Sequence, residues 1–168
     1  MKAGFANTLF GALLLLAFLC FSFGQASMAR GAGSAAQSID FRQDDFQAQR
    51  IARKLLRREI AKYPSGSNWM RTAWVSVSPG ETPTLFVMYG CSPTGNCGLY
   101  GFKRQKNGWK LVLNSIAQTC SILPSSHAGR HDISARMHGS AFQSTIKTYW
   151  WRKDRYVRVS ERDLILKE

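Results

Sequence analysis

The sequence predicts an α+β fold: one N-terminal amphipathic helix packed on an antiparallel β-meander sheet. Three observations carry that prediction. Between Asp44 and Lys62, apolar residues recur at three- and four-residue steps. After Trp69, short stretches alternate apolar and polar residues and are separated by turn signals such as Pro79-Gly80 and Asn107-Gly108. A single helix followed by a run of strands fits α+β rather than alternating α/β.

The chain begins with an export pattern. Lys2 precedes an apolar run over residues 9–23, and Ala26-Ser27-Met28-Ala29 supplies small residues at a cleavage site. Residues 1–29 therefore read as a signal peptide, since the apolar core is short for a membrane span of about 20 residues. The competing reading is an uncleaved N-terminal anchor. Lipidation at Cys20 is disfavoured because Phe18 and Leu19 stand where small residues are wanted. With cleavage after Ala29, no transmembrane span is expected. Arg-Gly-Ala-Gly-Ser-Ala-Ala-Gln-Ser follows, a flexible composition. Residues 30–43 thus form a linker before a single domain, 44–168.

In the helix, the apolar face comprises Phe46, Ala48, Ile51, Ala52, Leu55, Leu56, Ile60 and Tyr63. Asp44 and Asp45 suit its start, Arg57, Arg58 and Lys62 its end, and Pro64 stops it. Arg50, Arg53, Lys54, Arg57 and Arg58 form a basic outer face. Residues 71–78 alternate around Ala73, Val75 and Val77. Residues 84–89 are apolar on both faces, which predicts a strand covered on both sides. Residues 98–103 follow a cysteine loop. Lys106-Asn107-Gly108 predicts a type I′ hairpin turn, with Trp109, Leu111 and Leu113 facing inward from the next strand. Residues 121–123, 133–137, 143–151 and 156–160 complete the strands, and Ser125, Ser126 and Gly129 predict a loop between two of them. Trp150 and Trp151, adjacent in one strand, must face opposite sides.

Charge bounds the partners. The chain carries 23 Lys+Arg against 10 Asp+Glu, a formal charge of +13 that falls by one when Lys2 leaves with the leader. Such a charge attracts anionic partners and disfavours self-association, so a monomer is expected. For an exported chain, whether periplasmic or secreted, the partner is an anionic envelope polymer or an exported protein; nucleic acid is not expected. Cys91, Cys97 and Cys120 remain after the leader. Cys91 and Cys97 flank a Ser-Pro-Thr-Gly-Asn turn and are expected to pair in an oxidising compartment, worth about 2 kcal/mol for so short a loop. Cys120 is then a small buried hydrophobe or an intermolecular partner.

Candidate chemistry is sparse. Cys120 with His131 would suit a thiol hydrolase, but Gln-Thr-Cys-Ser-Ile-Leu lacks the helix start that lowers a thiol pKa. His127, His131, Asp132 and His138 are the available metal ligands, with spacing that fits zinc only on a helix turn. The sequence therefore assigns no catalytic residue, no metal and no cofactor. Aromatic and basic residues interleave at Phe102-Lys103-Arg104, Trp109-Lys110 and Tyr149-Trp150-Trp151-Arg152-Lys153, a palette for stacking beside anionic groups. The candidate binding residues are Arg50, Arg53, Lys54, Arg57, Trp150, Arg152, Lys153 and Arg155.

The order Tyr89-Gly90-Cys91, Cys97-Gly98-Leu99-Tyr100-Gly101-Phe102, Asn107-Gly108-Trp109-Lys110-Leu111-Val112, Ile122-Leu123-Pro124, His127-Ala128-Gly129-Arg130-His131-Asp132-Ile133 and Tyr149-Trp150-Trp151 with Tyr156 resembles a group of bacterial exported β-meander proteins. Those proteins share a Cys–Cys loop, a Gly-Trp hairpin and a Gly-x-x-Asp-Ile/Leu turn. The resemblance implies export and fold and no reaction. It departs from the group at Lys153-Asp154-Arg155, where Asp-Gly is usual. Two binding mechanisms follow: capture of an anionic envelope component by the basic surfaces, or plugging of an exported hydrolase by the disulfide-closed loop, as an inhibitor or immunity protein does.

Overall fold

The computed structural model describes residues 35–64 and 69–165. The segment read as a signal peptide lies outside the described residues. Among the described residues, two short helices, α1 (Phe46–Leu55) and α2 (Arg57–Lys62), accompany nine strands. The strands are β1 (Gln37–Ser38), β2 (Arg71–Val75), β3 (Thr84–Tyr89), β4 (Cys97–Gln105), β5 (Gly108–Ala117), β6 (Thr119–His127), β7 (Arg130–Ser140), β8 (Gln143–Arg152) and β9 (Arg155–Ile165). All pairs are antiparallel. The class is α+β, but the strands form two sheets rather than one: β2-β3-β4-β5 and β1-β6-β7-β8-β9. The chain passes from one to the other at Gln118, whose N–H bonds Arg136 O at 2.7 Å.

β3 explains the layering. All six of its residues are buried. Leu85, Val87 and Tyr89 join Ala48, Ala52, Leu56, Met70 and Phe102 in a cluster under the helices. Phe86 and Met88 point the other way, into the core shared with Cys120, Ile133, Ala135, Tyr149 and Trp151 of the second sheet. A strand with two apolar faces needs cover on both, and here a helix layer and a second sheet provide it.

The helix begins where Asp45 accepts the Ala48 N–H at 2.8 Å. A single helix over residues 44–62 was the expectation; the structure turns at Leu56 (φ −96°, ψ 15°) and resumes. Each four-residue step on a straight helix drifts about 40° around the axis. Ile60 would therefore leave the stripe of Ala48, Ala52 and Leu56, and the turn at Leu56 offsets that drift. Phe46 and Tyr63, placed on the apolar face by periodicity, are instead 84% and 62% exposed at the two ends of the helical segment. Leu56 is buried and Leu55 half-buried. Leu56→Ala is therefore expected to cost about 2–4 kcal/mol and Leu55→Ala clearly less. Urea melts of the two variants check this, and equal losses would contradict it.

Three further expectations are corrected. The linker does not extend to residue 43: Gln37 and Ser38 pair with Ile122 and Ser121, Ile39 N–H bonds Cys120 O, and Arg42 bridges Thr72. These bonds are main-chain, so a Ser/Ala/Gln composition does not reveal them. The hairpin at Lys106-Asn107 forms, but the positive φ falls on Gly108 (135°) and not on Asn107, so the turn is not type I′. In β5, a bulge sets Phe102 opposite Leu111 and Gly101 opposite Leu113. Val112 and Leu113 are consequently both buried, while Leu111 is 46% exposed.

Candidate binding site at the hairpin ends

The predicted loop holding the histidines is a hairpin. β6 and β7 meet at Ala128-Gly129, both with positive φ (50° and 75°). Between Ile122↔Ile133 and Ser126↔His131, β6 carries a bulge of extra residues opposite Asp132. The bulge wraps Asp132, which is fully buried. Ser125 Oγ donates to one carboxylate oxygen at 2.6 Å, and His127 Nδ1 donates to the other at 2.8 Å. So held, the His127 ring stacks on Trp150 with centroids 3.7 Å apart and an interplanar angle of 14°. The Arg152 guanidinium lies 5.1 Å from the same Trp150 ring.

Trp151 points inward, as the alternation requires. It packs edge-on against Tyr156, and the Arg130 guanidinium lies 4.3 Å from its centroid. Arg130 is buried, and burial pushes its pKa down. Glu81 pairs with it and also with Lys103 Nζ, the latter at 3.1 Å. Lys110 reaches Asp154 at 3.6 Å, and Arg104 lies over Trp109 at 5.3 Å. The β8–β9 turn is made by Lys153 and Asp154, both at positive φ (45° and 64°), without the glycine usual in such turns.

The β4–β5, β6–β7 and β8–β9 hairpin ends therefore meet. Lys103 and Arg130 lie over Trp151, Arg152 lies over Trp150, and Lys110 reaches the β8–β9 turn of Lys153 and Asp154, with Lys106 and Arg155 at the neighbouring hairpin ends and Glu81 and Asp154 the carboxylates bound to that set. Arg104 and Trp109 turn to the other side, where Trp109 packs on Trp74 and the cluster under the helices. Arg50, Arg53, Lys54 and Arg57 are exposed on the helix layer, which covers the sheet opposite to the one bearing Trp150. The two groups of candidate binding residues thus lie on different layers. Sequence reasoning did not single out Glu81 or Arg130, nor the Asp132–His127 support under Trp150. The signal present was Gly129-Arg130-His131-Asp132-Ile133, one turn after His127.

The remaining candidates are dispersed. Cys91 and Cys97 form the expected disulfide. Its loop is clamped to β7: Asn96 Nδ2 donates to His138 O at 2.6 Å and Asn96 Oδ1 accepts the His138 N–H at 2.8 Å. Ser92, Pro93 and Thr94 are exposed at its tip. Cys120 is a free thiol in the inter-sheet core, and burial pushes its pKa up to about 12. That is the reverse of what a thiolate nucleophile needs. His131 Nδ1 donates to Leu123 O at 3.1 Å. Among the described residues, no group of three or more His, Cys, Asp or Glu side chains is placed to hold a metal ion, and no helix is long and apolar enough to cross a membrane. No family model, characterised protein or solved structure matches the chain.

Proposed function

We propose that this chain is an exported, non-catalytic binding domain that holds an anionic envelope polymer at its hairpin ends. One observation carries the reading: cations from three separate hairpins converge, Arg152 lying over the Trp150 ring that stacks on His127, with few carboxylates among them. Pairing of anionic groups with Lys and Arg releases counterions, which favours binding of a polyanion. The Cys91–Cys97 disulfide suits an oxidising compartment. Export and kinship with the exported β-meander proteins belong to the same proposal.

The test is salt elution from an immobilised sulfated polysaccharide. Lys106→Glu with Arg152→Glu and Lys153→Glu is expected to elute at far lower salt than the parent, with a melt changed little because these side chains are exposed. Reversing Arg50, Arg53 and Arg57 on the helices is expected to shift elution much less. The opposite ranking of the two variants would move the site to the helix face.

A second reading has its own support. The Asn96 clamp makes the disulfide loop rigid, which lowers the entropy lost when its tip enters a cleft. An inhibitor of an exported hydrolase would bind through Ser92, Pro93 and Thr94, and its complex would survive salt that releases a polyanion.

A further inference from the structure

We infer that the free edge of β5 accepts an extended acidic peptide as an added strand, in a cleft that adjoins the hairpin-end surface and shares Arg155 with it. Two sheets leave four edges. β1 is two residues long. β2 is bridged by Arg42, which exchanges backbone bonds with Thr72 at 2.8 and 2.9 Å. β9 carries Arg155, Arg158, Glu161, Arg162 and Asp163, the kind of charge that keeps an edge from pairing. β5 has no such guard. Residues 111–116 (Leu-Val-Leu-Asn-Ser-Ile) hold no charge, and Leu111 and Ile116 are 46% and 48% exposed. Among the described residues, no backbone hydrogen bond from this stretch reaches beyond its ladder with β4.

This edge opens on a cleft of about 700 Å³ between β5 and the β8–β9 pair. One end is marked by the Lys110–Asp154 pair and the other by the 2.5 Å hydrogen bond between Ser115 and the Tyr149 hydroxyl. Leu111, Ile116 and Val157 give the accessible apolar surface of the lining, with Leu113, Tyr149 and Tyr156 buried behind it. Lys147, Arg155 and Arg158 stand along the opposite wall, and Lys147 and Arg155 have no carboxylate partner among the described residues. An extended segment alternates its side chains. An occupant with apolar residues on one face and carboxylates on the other would bond its backbone to β5, bury the apolar face and present its acids to these cations. Residues 1–34 contain no Asp or Glu, so charge does not match the chain's own beginning to this wall. A second copy brings a formal charge of +13 against the same cations.

The experiment is amide hydrogen exchange on the full chain with a synthetic peptide of about eight residues alternating Val and Glu, a length that spans the edge. Protection is expected at residues 111–116, absent with the matching Val/Lys peptide and declining as salt rises. Lys147→Glu with Arg158→Glu is expected to weaken the Val/Glu peptide about tenfold, as loss of two charge contacts implies. The Lys106/Arg152/Lys153 reversal is expected to leave that affinity within about twofold, because those residues do not line the cleft. Thus the hairpin-end proposal and this one fail independently. Absence of protection in β5, equal protection by the Val/Lys peptide, or loss of peptide binding in the hairpin variant would each overturn the inference. Protection that grows with protein concentration without peptide would also overturn it, in favour of pairing between copies.

Discussion

Replacing Phe86 by alanine is expected to lower the free energy of unfolding by about 3–5 kcal/mol. Phe86 is fully buried in β3. Its neighbours across the ladder are Ala73 on one side and Gly101 on the other, both small. A Cβ built at Gly101 would lie 3.0 Å from Leu113 Cβ and 3.6 Å from the Phe86 ring. The ring and Leu113 therefore occupy the space that glycine vacates. Truncating Phe86 leaves a void that neither Ala73 nor Gly101 has side-chain atoms to fill, so the full cavity cost applies. Urea unfolding measures it. A loss below about 1 kcal/mol would mean that the two sheets do not share this core.

Asp132→Ala is expected to cost about 3 kcal/mol and to disturb the surface above it. Asp132 accepts hydrogen bonds from Ser125 and from His127, and it is fully buried. Ser125 and His127 are left without their buried acceptor, and both hydrogen bonds are lost together. With them goes the force that sets His127 flat on Trp150. The near-ultraviolet circular dichroism of the tryptophans should change along with the melting temperature. Asp132→Asn, which keeps an acceptor oxygen, should lose less. A variant with parental stability and an unaltered tryptophan signal would contradict the role given to Asp132.

The sequence was most informative where side chains alternate or repeat. The double-faced strand at residues 84–89, the opposed Trp150 and Trp151, and the Cys91–Cys97 pair follow from period, chirality and loop length. It was least informative where the main chain does the pairing. Gln37 and Ser38 join a sheet through backbone bonds that leave no compositional trace. The division into two sheets is invisible for a related reason: strands of one meander and strands of two stacked sheets share the same alternation. Turn composition misled at residues 125–131. Pro124, Ser125 and Ser126 resemble a loop, but they form a bulge that encloses Asp132, and only the spatial pairing of β6 with β7 shows it. The aromatic–basic segments were visible one by one. That they meet is a consequence of hairpins ending at the same level, which one-dimensional patterns do not encode.

Binding of an anionic polymer at the hairpin ends is the proposal that most needs a direct test. The most direct measurement is a residue-resolved footprint, by backbone amide chemical shifts, during titration with a short sulfated oligosaccharide. Perturbations are expected at residues 103–110, 127–130 and 150–155, with the Trp150 indole N–H signal among those that move, and they should fade as salt rises. A footprint confined to residues 50–58 of the helices, or to Ser92, Pro93 and Thr94 at the disulfide loop, would contradict the claim.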